Sequence, residues 1–136
     1  MCDLPDGCSR CLIYTSTITL AEVTKIRGGA PTERDTATEE RISAFFRNEY
    51  VKLIPIDYST GVLARQLIWE FPHLGPRDAI HIATAIRAEA DVIETYDVHD
   101  FGRVTREIAA GSDEERGIRL PRIRTPEGKA QGDLPL

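Results

Sequence analysis

Residues 77–101, RDAIHIATAIRAEADVIETYDVHDF, constrain what this chain can fold into more than any other stretch. Ala79, Ile80, Ile82, Ala83, Ala85 and Ile86 make a helix over 77–89 apolar on most sides. Such a helix has to be largely buried. A β-branched run, Asp91–Tyr96, follows almost at once and reads as a strand. A buried helix feeding into a strand predicts helices packed on a sheet. The same stretch places Asp78 at the start of the helix, and Asp97 with Asp100 at the exit of the strand. In a parallel α/β layer, strand exits and helix starts meet at one edge of the sheet, where ligands bind. Carboxylates gathered at such an edge suggest a hard divalent cation and hydrolysis of a phosphate ester.

The alternation extends along the chain. Leu12–Thr17 (LIYTST) is β-branched and aromatic, a short strand. Thr19 or Ser16 offers an N-cap, and Glu22 three residues after Thr19 completes a Ser/Thr-x-x-Glu capping box. The helix it starts is expected to stop at Gly28–Gly29. After a polar connection over 30–38, Thr38 can cap a helix over 39–50 that carries Ile42, Phe45 and Phe46 at helical spacing. Val51–Ile56 is a second strand, with Pro55 near its exit. Tyr58–Phe71 is a helix with Val62, Leu63, Leu67, Ile68 and Phe71 as its inward stripe, broken by Pro72–Pro76. A short helix after Phe101 runs to about Ala110, and Ile118–Ile123 is an edge strand. Strands alternating with helices mean parallel β–α–β units and an α/β sandwich. Residues 1–11 read as an irregular leader, 12–123 as the domain and 124–136, rich in Pro, Gly and charge, as a flexible tail.

The 136 residues suffice for one domain with a real core. Seventeen basic against twenty-two acidic residues leave a net charge of −5, which argues against charge-driven coating of nucleic acid but allows a local arginine rim around an acidic pocket. No apolar run approaches the length of a membrane span and the first residues do not read as a signal peptide, so a cytoplasmic location is expected. Cys8 and Cys11 form a C-x-x-C, but zinc wants four ligands and His73, His81 and His99 lie far along the chain. Cys2, Cys8 and Cys11 are therefore expected to be free thiols.

Each acid also has a local explanation. Glu22 fits a capping box, and Asp97 and Asp100 fit a turn and an N-cap. Asp78 lies close to the core, where an unpaired carboxylate is costly, so it needs a cation: adjacent Arg77 or a metal. Together, however, three strand–helix junctions each deliver an acid, Glu22, Asp78 and Asp97. Crowded carboxylates repel one another, and a divalent cation removes that cost.

Thr15-Ser16-Thr17-Ile18-Thr19-Leu20-Ala21-Glu22, then Arg77-Asp78-Ala79-Ile80-His81-Ile82-Ala83-Thr84-Ala85, then Thr95-Tyr96-Asp97-Val98-His99-Asp100-Phe101 resemble the successive motifs of PIN-domain ribonucleases, and most closely those of VapC-type toxins of bacterial toxin–antitoxin pairs. The resemblance spans roughly residues 12–123. It implies a three-layer α/β/α sandwich with a parallel sheet, and a Mg²⁺- or Mn²⁺-dependent endoribonuclease that cuts RNA by metal-activated water. Glu22, Asp78 and Asp97 match the metal-site acids, with Asp100 an outer member and Thr95 a small polar residue beside the site. Arg77, Arg103 or Lys25 would hold the RNA backbone. An antitoxin partner and a homodimer are implied as well.

PIN domains open with a strand ending in an aspartate, and nothing in residues 1–11 looks like it; Asp3 and Asp6 follow no apolar run. The expectation is thus an N-terminally shortened PIN domain with its first strand missing. The alternative reading is an inactive module that binds an antitoxin or RNA without cutting it. A helix-turn-helix built from 58–71 and 77–89 is discounted, because its second helix offers only Arg77 and Arg87 on an apolar body.

Overall fold

β1, Ile13–Ser16, and β2, Val51–Ile54, pair in parallel with Ile13 opposite Val51 and Ser16 opposite Ile54. These are the two β-branched runs of the N-terminal half, and β2 stops at Ile54 because Pro55 has no N–H to donate to the ladder. The computed structural model describes residues 11–24, 35–95, 99, 101, 103–104 and 121–125. A second parallel pair joins β3, Val92–Glu94, to β4, Arg122–Arg124. Among the described residues every strand pairing is parallel, as an α/β fold requires, and each pair forms its own two-stranded sheet. Glu94 and Arg124 face each other across the second pair, and the Arg124 Nε donates to Glu94 Oε1 at 2.9 Å.

Between and after these strands lie α1, Thr19–Glu22; α2, Thr36–Phe46; α3, Tyr58–Glu70; and α4, Pro76–Arg87. The caps differ from those expected. The residue preceding α1 is Ile18, with no side-chain cap, and the Thr19 hydroxyl bonds that of Thr15 at 2.6 Å instead. Ser16, 1% exposed, accepts from the Ile18 N–H at 3.3 Å. No capping box forms, which leaves the Glu22 carboxylate to act elsewhere. α2 starts three residues earlier than the Thr38 cap would place it, because Asp35 is the better acceptor: its Oδ1 takes the Ala37 N–H at 3.2 Å and its Oδ2 the Thr38 hydroxyl at 2.7 Å. Asn48 closes the far end of α2, its Nδ2 donating to the Phe45 carbonyl at 2.9 Å.

α3 and α4 form an antiparallel hairpin. Asp57 caps α3 by accepting from both the N–H and the hydroxyl of Thr60 at 2.8 Å, and Arg87 at the end of α4 reaches back to Asp57 Oδ2 at 3.1 Å. The buried stripe of α3 is Thr60, Ala64 and Leu67, with Leu63 and Ile68 on its flanks. Leu67 and Phe71 are buried as expected, and Thr60 and Ala64 join the stripe while Val62 is half-buried. α4 buries Ala79, Ile82, Ala83, Thr84 and Ile86, and the Thr84 hydroxyl is satisfied by the Ile80 carbonyl at 2.8 Å. Leu74, Phe71, Phe101 and Val104 complete this core, and Ile93 and Ile123 pack on it from the second sheet. The apolar faces of α4 are committed to the core in this way.

α4 ends in a Schellman arrangement: the Ala90 N–H donates to Ala85 and the Glu89 N–H to Ile86, at 3.0 and 3.1 Å. The left-handed position is taken by Glu89, at φ 53°. His99, Phe101, Arg103 and Val104 are helical, in agreement with a helix near Phe101; the expected continuation to Ala110 lies outside the described residues, as do the leader over 1–10, most of the tail and the Gly28–Gly29 stop. Cys11 is disulfide-bonded, which corrects the expectation of free thiols; the other two cysteines, Cys2 and Cys8, fall outside the described residues. No helix among the described residues is long and apolar enough to cross a membrane.

Candidate active site

Glu22 lies at the end of α1, six residues beyond the carboxyl end of β1, and meets the first two turns of α4. Its two oxygens are engaged separately. Oε1 lies 2.9 Å from Arg77 Nε, and Oε2 lies 2.8 Å from His81 Nε2. Arg77 and His81 are four residues apart on one helix and so present one face. The two partners differ in exposure: the side chains of Glu22 and His81 are 23% and 26% exposed, whereas that of Arg77 is 69% exposed.

This arrangement follows from local sequence. Gly75 in an extended conformation and Pro76 at the first helical position start α4 abruptly, so that Arg77, Asp78 and His81 all fall in its first two turns. Asp78 is the acid of that first turn and is partly buried. Its charge lies at the positive end of the α4 dipole. The sequence suggested Arg77 as the cation for Asp78; the guanidinium instead turns to Glu22.

Thr95 sits at the end of β3, where its N–H donates to the Arg124 carbonyl at 3.0 Å. It therefore adjoins the second strand pair. Asp97, Asp100 and Lys25 lie outside the described residues. Arg103 is exposed. The structure thus brings together Glu22 and Arg77, with Asp78 on the same turn. It adds His81, which the sequence reading did not assign to the site. The available signal was its position: a polar residue four after Arg77 in a helix otherwise apolar on that stretch.

Glu22 and Asp78 offer only carboxylate oxygens, the donor type that suits Mg²⁺ or Mn²⁺ rather than zinc. In donor chemistry they fit such an ion, although among the described residues no group of three His, Cys, Asp or Glu side chains is placed to hold one.

The chain matches the PIN domain family over residues 12–107, most of its length, and belongs to that family. PIN domains are in general metal-dependent nucleases. No curated protein and no solved structure matches the chain.

Proposed function

We propose that this PIN domain is a Mg²⁺- or Mn²⁺-dependent endoribonuclease of the VapC toxin type, acting on RNA phosphodiesters and held in check by an antitoxin protein. The observation that carries the reading is the approach of Glu22 to the α4 turn bearing Asp78, across 59 residues of sequence between Glu22 and His81. Glu22 and Asp78 would hold the cation, with Asp97 and Asp100 as further acids of the same site. A bound divalent cation supplies an activated water and stabilises developing phosphate charge. The chain's own part is positional: β1 and α1 fix Glu22, the abrupt start of α4 fixes Asp78, and the exposed Arg77 guanidinium offers donors to a phosphate oxygen. Thr95 lies at the end of β3 as a hydroxyl for the same purpose. A homodimer is proposed on the family resemblance.

A gel assay of RNA cleavage in Mn²⁺ tests the reading. Cleavage by the wild-type chain that disappears in Asp78→Asn and in Asp97→Asn supports it. A second reading, a module that binds RNA or an antitoxin without cutting, is favoured by one feature: both oxygens of Glu22 already have partners from α4. RNA retarded by the protein but left intact at saturating Mn²⁺ would select that reading.

A further inference from the structure

The geometry points to Arg77 as an internal counter-ion that competes with a divalent cation for Glu22, while His81 positions the carboxylate for either. This inference rests on the metal-dependent reading of the site and concerns how the site is loaded.

Glu22 is held asymmetrically. Its Oε2 accepts from His81 Nε2, at 2.8 Å, deep enough that the imidazole is only 26% exposed. Its Oε1 is paired at 2.9 Å with a guanidinium whose side chain is 69% exposed. The inner partner is a mostly buried side chain on α4; the outer partner is a long side chain in water. Exposed ion pairs of that kind are weak, because solvent screens them and the ordered side chain loses rotamer freedom. Oε1 is therefore the oxygen that can change partner. A divalent cation arriving there meets the guanidinium as a like charge, and the two cannot share the oxygen without repulsion. Loading then requires Arg77 to swing away. Because Arg77 remains anchored on the first turn of α4, the released guanidinium stays near the site, where phosphate is expected.

The roles of the two partners of Glu22 thus have opposite signs. Removing Arg77 removes a competitor and a repelling charge. Removing His81 frees a ligand side chain to wander, and the loss of such a supporting hydrogen bond weakens metal binding. A purely structural role for Arg77 gives no such opposition, since its loss would loosen Glu22 just as the loss of His81 does.

The test is Mn²⁺ binding to the full chain, read from the fall of the free-ion EPR signal at constant pH and ionic strength. Arg77→Gln is expected to bind Mn²⁺ about 3- to 10-fold more tightly than wild type. Arg77→Lys, which keeps the charge, should return toward wild type, and His81→Ala should bind about 10-fold more weakly. Thermal melts give a second readout: Arg77→Gln should be less stable than wild type in EDTA and gain more than wild type from added Mn²⁺. Equal or weaker Mn²⁺ binding by Arg77→Gln overturns the inference, as does absence of binding in both wild type and Arg77→Gln. Absence of binding in wild type alone supports it. Failure of the nuclease reading looks different: Mn²⁺ binds with these opposed shifts while RNA remains uncut.

Discussion

Glu22, in the last turn of α1, and His81, in the second turn of α4, are 59 residues apart in sequence and share a hydrogen bond of 2.8 Å. This contact ties the first strand–helix unit to the central helical hairpin. Both side chains are mostly buried, so the bond is poorly screened and contributes to stability as well as to site geometry. A double-mutant cycle of Glu22→Gln and His81→Ala, followed by urea unfolding, should give a coupling of about 0.5–1.5 kcal/mol. A coupling indistinguishable from zero would mean that the two residues do not meet in solution.

Glu89 occupies the left-handed C′ position of α4 at φ 53°, a place where glycine is the common choice. A side chain with a Cβ is strained there, by about 1 kcal/mol or more. Glu89→Gly should therefore raise the melting temperature, and Glu89→Val, adding β-branching at the same φ, should lower it. The reverse order would place strain elsewhere in the turn.

Hydrogen bonds from the Thr60 N–H and hydroxyl hold the Asp57 carboxyl below its ordinary value of 3.8, and the Arg87 charge adds to the effect. A depressed folded-state value means that the charged carboxylate stabilises the fold at pH above 3.8, and that this contribution is lost as the pH falls through the folded value. Asp57→Asn should accordingly melt below wild type at neutral pH, and the gap should close on acidification. A gap that persisted unchanged into strong acid would remove Asp57 from the acid response.

Trp69, the single tryptophan, is 70% exposed on α3 with the Arg65 guanidinium 5.2 Å from its ring centre. Its emission should be that of a solvated indole, readily quenched by acrylamide and little shifted on unfolding. A blue-shifted, protected signal in the native chain would place a partner, such as a second copy, over this face of α3.

What the sequence disclosed depended on the range of the signal. The strands near Ile13, Val51 and Val92 were legible because β-branched runs bounded by breakers carry their own periodicity. α4 was legible because its apolar girdle allows only burial. The caps were not: Asp35 and Asp57 compete with nearby threonines for the same role, and backbone geometry decides between them. The pairing of Arg77 was also hidden. From sequence its neighbour is Asp78, but adjacent helical residues diverge by about 100° and cannot face one another. Only the docking of α1 against α4 shows that Glu22 is its partner.

Each parallel strand pair spans residues that must be ordered before the strands can meet, α1 and α2 for the first and the segment through Phe101 and Val104 for the second. The α3–α4 hairpin needs only the short turn around His73. Closing long loops before their contacts repay the entropy is slow, so the expected order is hairpin first and strand pairing later. Glu22 can engage Arg77 and His81 only after β1 has docked. On that order the Glu22–Arg77–His81 cluster assembles late, and a nascent or partly unfolded chain would carry the hairpin without it.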